Sequence, residues 1–380
     1  MTVQAKDIVP GLAGIPAAES KISYIDGQKG ILEYRGYAIA TLAEESSFEE
    51  VSWLLLYGEL PTAEELAGFR SRLRENRQLP ERMYELVKSL PGAGHPMDAL
   101  QACTAALGMY DRSRDYDDTE HADQACIRLL AAMPVLVAAF ERHRAGKDFV
   151  APDPELDTAA CFLWMLTGQK PDELAARVLD VALILHADHT MNASTFAARV
   201  VASTEADPYT VCSSALGALT GPLHGGANER VLVMLKQIGG PDQVEAWLEG
   251  QIASKSKIMG FGHRVYKVKD PRSVILQALA RQLFDKLGTT PIYDTAIELE
   301  DKVVAQLGHK GIYPNVDFFS GIVYSKLNIP VDCFTPIFAI ARVAGWLSHW
   351  REQMKNNRIF RPSQVYVGGH ERKYAPIEQR

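Results

Sequence analysis

The chain has 380 residues, enough for one large domain or two ordinary ones. Hydrophobic residues make up 47 % and charged residues 23 %, as in ordinary globular proteins, and the net charge of −7 argues against nucleic-acid binding over the whole surface. An anionic ligand therefore needs a local basic patch. The five cysteines, Cys103, Cys126, Cys161, Cys212 and Cys333, are scattered and form no C-x-x-C pair, which disfavours both a zinc site and a disulfide framework. Met1 to Ser20 has no apolar core and the first arginine is Arg35, so neither a signal peptide nor an Arg-rich transit peptide is expected. No uncharged apolar run approaches the roughly 18 residues of a membrane span. The expectation is a cytoplasmic protein that engages neither membrane nor nucleic acid.

Along the chain, Ile22–Ile25 and Ile31–Tyr34 flank Asp26-Gly27 and Gly30, which predicts a short β-hairpin. The pattern then turns helical. Ser47 and Glu50 have capping-box spacing ahead of an apolar run to Leu56 that stops at Gly58, and Thr62 with Glu65 opens a second helix. Further helices are predicted near 97–110, 119–143, 156–167, 171–201 and 208–219. The broad apolar stripe of 119–143 marks it as buried, and Pro134 inside it is placed to kink or divide it. Gly221-Pro222 precedes His224-Gly225-Gly226, and Gly239-Gly240-Pro241 separates two more helices. Helices follow near 242–253, 272–286, 293–306, 317–326 and 335–356. The breaks suggest a large unit, 1–220 with 328–380, and a smaller one, 221–327.

Several segments carry candidate chemistry. Lys255 to Arg272 holds Lys255, Lys257, Arg264, Lys267, Lys269 and Arg272 against one acid, Asp270. Such a cluster in an acidic chain suggests a polyanionic ligand, although composition alone also allows a solvated loop. Gly260 and Gly262 within it let backbone N–H groups approach a ligand. His263 and His224 both sit beside glycines, where an imidazole is freer to meet a ligand, or equally to cap or pack. His186, Asp188 and His189 form H-A-D-H at the end of an apolar helical stretch. One reading is a metal site for a hydrolase. The absence of H-E-x-x-H and of further ligand signatures favours a buried polar pocket instead. Asp317 is crowded by Val316, Phe318 and Phe319. Burial strengthens a carboxylate as a base, while a position after Pro314 also suits a plain helix N-terminus.

Six of these segments, in order, resemble the citrate synthase family: HADHTMNAST (186–195), GPLHGGAN (221–228), GFGHRVYKVKDPR (260–272), PNVDFFSG (314–321), ARVAGWLSHWREQ (341–353) and RPSQVYVG (361–368). IDGQKGILEYRGY (25–37) is similar as well. The resemblance implies a mainly α fold, a large and a smaller helical domain divided as above, with a small N-terminal β-hairpin. It implies condensation of acetyl-CoA with oxaloacetate, with 2-methylcitrate synthesis from propionyl-CoA as the alternative. His224 is expected to bond the thioester oxygen, His263 the ketone of oxaloacetate, and Asp317 to act as base, with Ser194 supporting His224. His189, Asn192, Arg272, Arg342 and Arg361 are expected on oxaloacetate or citrate, with Arg361 supplied by the partner of a homodimer with shared sites. Lys257, Gly260, Gly262, Arg264, Lys267 and Asn315 are expected at CoA. No metal and no redox cofactor is implied.

Overall fold

The computed structural model describes residues 8–111, 113 and 115–380. The hairpin is present as β1 (Ser23–Asp26) and β2 (Ile31–Tyr34), paired antiparallel with Ser23 opposite Tyr34. A third strand, β3 (Tyr37–Ala38), adds to β2 and was not expected; two residues are too few to show a period. The next helices are α1 (Ile39–Glu45), α2 (Phe48–Tyr57), α3 (Ala63–Asn76), α4 (Glu81–Ser89) and α5 (Pro96–Leu107). The reciprocal capping box belongs to α3, between Thr62 and Glu65. At α2, Ser47 accepts from Glu50 N, but the Glu50 carboxylate turns to Ser46 Oγ at 2.6 Å.

The core is built on two long apolar helices, α6 (Thr119–Arg144) and, at the other end of the chain, α16 (Phe334–Lys355). Pro134 does not divide α6, which runs unbroken for 26 residues. By length and composition, Thr119–Arg144 and Val331–Lys355 could each cross a membrane, yet their apolar windows are 83 % and 89 % buried inside the protein. Around them lie α7 (Thr158–Thr167), α8 (Glu173–His186), α9 (Ala193–Ala202) and α10 (Pro208–Thr220). The single helix expected over 171–201 is therefore two. Residues 187–192 leave the helix, and Asn192 caps α9 by accepting from Thr195 N. The remaining helices, α11 (Ala227–Ile238), α12 (Val244–Ala253), α13 (Pro271–Leu287), α14 (Pro291–Leu307) and α15 (Val316–Lys326), pack largely on one another, with α13 also reaching α1 and α8.

The end of α8 meets the middle of α16 at very short range. Gly345 N donates to Ala187 O at 3.1 Å, and a Cβ at Gly345 would lie 2.5 Å from both Ala187 O and Asp188 Oδ1. Gly345→Ala is expected to destabilise the protein by about 1–3 kcal/mol, the usual cost of overpacking, as read by urea unfolding. An unchanged unfolding midpoint would show that the two helices can part without cost.

Candidate active site

The segment after α8 is held from the N-terminal sheet and from α16. Tyr34 Oη donates its one hydrogen to Asp188 O at 2.9 Å, with Ile184 O also within reach at 3.1 Å. The Asp188 carboxylate accepts from Ser23 Oγ at 2.5 Å and from Thr190 N at 3.1 Å, and faces His349 Nε2 at 3.3 Å. Arg199 Nε donates to His349 Nδ1 at 2.9 Å, so His349 carries its proton on Nε2, toward Asp188. Burial acts against the Asp188 charge, but His349, Arg342 and Ser23 together hold its carboxyl below the usual range. His186 Nδ1 lies 2.7 Å from Ala182 O and leaves Nε2 unpartnered; His189 Nε2 is likewise buried without a partner among the described residues. His186 and His189 both lie near Arg272 and Arg342, whose charge repels a cation, while Asp188 is bonded to Ser23 and Thr190, so the metal-site reading is not supported. The three-ligand grouping among the described residues, Glu141, Asp332 and Cys333, is instead crossed by Arg144, at 2.9 Å from Glu141 and 2.7 Å from Asp332.

His224 comes to α9 from the loop after α10. Its Nε2 accepts from Ser194 N at 3.2 Å and lies 2.8 Å from Ser194 Oγ. A backbone N–H can only donate, so Nε2 is the unprotonated nitrogen and Nδ1 carries the hydrogen. Ser194 Oγ accepts from Trp346 Nε1 at 3.1 Å and shares its single hydrogen between His224 Nε2 and Asn192 Oδ1, each 2.8 Å away. Gly225 is required beside it, because a Cβ there would lie 2.4 Å from Leu219 O.

His263 shows the opposite tautomer. Its Nδ1 accepts from Val265 N at 3.0 Å and Tyr266 N at 3.2 Å, which places the hydrogen on Nε2. The loop around it is laced to the approach of α15. Gly262 N donates to Tyr313 O at 2.8 Å, Asn315 N to Gly260 O at 2.9 Å, and Asn315 Nδ2 to Gly262 O at 3.0 Å. Gly260 and Gly262 both take φ +78°, the left-handed region that suits glycine. Asn315 Oδ1 also accepts from Asp317 N at 3.0 Å and so caps α15. One set of bonds therefore positions both His263 and Asp317. It also engages Asn315, the Gly260 carbonyl and both backbone groups of Gly262, three residues expected at CoA.

Burial sets the protonation of these groups. It lowers His224 to about 4, with help from Arg342, and His263 to about 4, with help from Arg272. His186 falls to about 3 and His189 falls well below its ordinary value, again chiefly by burial. Burial raises Asp317 to about 6, despite Arg272 nearby. All four imidazoles are thus neutral at pH 7, while Asp317 is a stronger base than an exposed carboxylate.

The basic residues divide into three groups. Arg272 forks onto Asp270, with Nε 3.1 Å from Oδ1 and Nη2 2.8 Å from Oδ2; burial opposes its charge but Asp270 outweighs it. Asp270 was noted in the sequence only as an isolated acid, although an Asp before Pro at a helix start is a cap signal. Arg342 has no carboxylate bonded to it among the described residues. Its Nε donates to His186 O at 2.7 Å, its guanidinium lies 4.6 Å from the Phe338 ring centre, and burial lowers it to about 10. Lys255, Lys257, Arg264 and Lys267 are exposed, whereas Lys269 turns inward to Glu300 at 2.6 Å. Lys257 lines a surface cavity of about 310 Å³ with Arg230, Trp247 and Met259. Arg361 is exposed beyond α16, in a tail without regular structure until Ile377. Asn192 is spent on its cap, with Nδ2 donating to Thr195 Oγ1 at 2.9 Å. Trp346, His349, Arg199, Tyr34 and Ser23 were not anticipated, since each acts on a group far away in sequence.

Two neutral imidazoles of fixed tautomer, a raised carboxyl and buried guanidinium groups make up a site equipped for acid–base chemistry beside an anion. The family model for "Citrate synthase, C-terminal domain" matches residues 11–363. The chain is 55 % identical to citrate synthase of Synechocystis sp., over 97 % of this chain and 93 % of that protein. It is 49 % identical to that of Acidithiobacillus ferridurans, over 98 % and 99 %. The structure is similar to that of citrate synthase from Pyrobaculum aerophilum, with TM-score 0.93 and 43 % identity over 98 % of this chain and 95 % of that one. It is also similar to the Thermoplasma acidophilum citrate synthase solved as a ternary complex with carboxymethyl coenzyme A and oxaloacetate: TM-score 0.92, 35 % identity, 98 % and 99 % coverage. The chain belongs to the citrate synthase family and is an enzyme of the acyltransferase class.

Proposed function

We propose that the chain condenses acetyl-CoA with oxaloacetate to give citrate and CoA, in the cytoplasm, at sites shared between the two subunits of a homodimer. The observation that carries this reading is the pair of imidazoles whose lone pairs are already taken by backbone N–H groups. Each is left as a neutral donor, which is what two developing oxyanions require.

Asp317 removes a proton from the acetyl methyl, breaking the C–H bond. His224 Nδ1–H donates to the thioester oxygen as it gains charge, so that a weak carbon acid can ionise. The nucleophilic carbon attacks the ketone carbon, and His263 Nε2–H donates toward the new alkoxide. Water then cleaves the citryl thioester to a carboxylate and the CoA thiol. Arg272 and Arg342 hold the oxaloacetate carboxylates, and His189 offers its unpartnered Nε2 beside them. Arg272 is already balanced by Asp270, so of these two guanidinium groups Arg342 is the one with no carboxylate bonded to it among the described residues. That shortfall supports a further arginine, Arg361 of the partner subunit. The exposed Lys257, Arg264 and Lys267 face the CoA phosphates. Residues 221–327 form a smaller mobile unit that closes His263 and Asp317 over oxaloacetate and excludes water.

Thiol release from acetyl-CoA is expected only with oxaloacetate present, and more slowly from propionyl-CoA. Oxaloacetate-independent release would reject condensation. The same assay reads the base. Asp317 acts ionised, so turnover falls as pH drops through about 6, and the histidines, neutral down to about 4, add no limb above that. An acid limb centred near the ordinary carboxylate value of about 4 would exclude Asp317 as the base.

A further inference from the structure

We propose that the turn of the N-terminal hairpin is a positioning strap for the loop carrying His263, with Gly27 as its contact and Tyr266 as the part it holds in place. Gly27 O accepts from Lys267 N at 2.9 Å, and a Cβ on Gly27 would lie 2.3 Å from Val265 O. Gly30 presses on the same segment, since its Cβ would lie 2.9 Å from Val268 Cγ2. The turn thus clamps the residues on both sides of Tyr266. That matters because the N–H groups of Val265 and Tyr266 are the two donors that fix Nδ1 of His263. Displacing the Val265 carbonyl tilts the peptide that joins these donors.

Tyr266 is 1 % exposed, and its ring centre lies 4.8 Å from that of His263 and 5.8 Å from that of His189. The Arg272 guanidinium sits 5.9 Å from the same ring. Its Oη has no hydrogen-bond partner among the described residues, so the ring, rather than the hydroxyl, supplies the contact. The opposite end of β1 reaches the other histidine loop, where Ser23 Oγ bonds Asp188, the residue before His189. A strand of four residues therefore ties together the two loops that present His189 and His263. The effect of the strap on turnover rests on the reading of His263 as the ketone's hydrogen-bond donor. Its effect on the imidazole does not.

The test is Gly27→Ala, whose φ lies outside the left-handed region, so that contact alone decides the result. Gly68→Ala on the exposed face of α3, where a Cβ meets nothing within 4 Å, is the control. In Gly27→Ala, kcat/KM for oxaloacetate is expected to fall about tenfold or more, because small displacements of a positioned donor are costly. The ¹⁵N signals of the His263 ring, assigned by their loss in His263→Gln, are expected to leave the pure Nε2–H pattern, while Gly68→Ala matches the unsubstituted enzyme in both. Unmoved ring signals overturn the strap, whether or not turnover falls. Moved signals with unchanged turnover uphold it and reject the role assigned to His263. If Gly27→Ala does not fold, Tyr266→Phe and Tyr266→Leu decide. Phe retains the ring and near-normal kcat/KM, Leu loses about tenfold, and equal values for the two overturn the proposal.

Discussion

Asp317→Asn is expected to lower turnover at least about 10²-fold, the low end for loss of a positioned general base. The amide has the same shape and keeps the backbone N–H that Asn315 caps, so α15 remains intact. Oxaloacetate binding, measured by calorimetry, is expected to persist, because its proposed anchors are the guanidinium groups. A stability signature accompanies the loss. The folded protein raises Asp317 to about 6, chiefly by burial, so the ionised carboxylate opposes folding. That cost is fully present above about 6 and vanishes below the ordinary value of about 4. The Asn variant is therefore expected to melt higher than the unsubstituted enzyme at pH 7.5 or so, with the gain gone in acid. Near-normal turnover would remove Asp317 from the base role, and a lower melting point at neutral pH would contradict the burial argument.

Arg361→Ala is expected to reduce kcat/KM by about 2–5 kcal/mol in barrier terms, the range for removing one partner of a hydrogen-bonded charge pair. Pro362 prevents a helix from continuing through this tail, and an extended tail can reach across an interface. The decisive form of the experiment mixes Arg361→Ala chains with Asp317→Asn chains under conditions that exchange subunits. If Arg361 serves the partner's site, a mixed dimer gathers both defects in one site and leaves the other intact, so activity returns toward half per mixed dimer. If Arg361 serves its own chain, every site keeps a defect. No recovery, with exchange confirmed by native mass spectrometry, would defeat the shared site.

The charge balance is what supports the proposed contribution of Arg361. Arg272 and Asp270 neutralise one another at 2.8 Å, and Asp188 is held by Ser23, Thr190 and His349 rather than by a guanidinium. Of Arg272 and Arg342, Arg342 is the guanidinium with no carboxylate bonded to it among the described residues. Burial lowers Arg342 to about 10, so it remains charged at neutral pH and has strong reason to seek an anion.

What the sequence determined by itself is local. The hairpin, the Thr62–Glu65 capping box, the apolar stripe of α6 and the glycine-flanked histidines are properties of neighbouring residues, and each was legible as period, spacing or composition. The order of six motifs then pointed to the family. Where the reading failed, a distant partner had decided the matter. The helix expected over 171–201 takes in 187–192, but Tyr34, Ser23, His349 and Gly345 hold that segment out of the helix. Asn192 carries a cap signal that could have marked the break. Composition does not separate the six basic residues of 255–272, yet Glu300 withdraws Lys269 and Asp270 balances Arg272. Which nitrogen each imidazole offers was not legible at all. For His224 it follows from Ser194 N, 30 residues earlier, and for His263 from a backbone turn that the hairpin presses into place. Periodicity is written along the chain, but the direction of a lone pair and the balance of a buried charge depend on partners that only the folded protein brings within 3 Å or so.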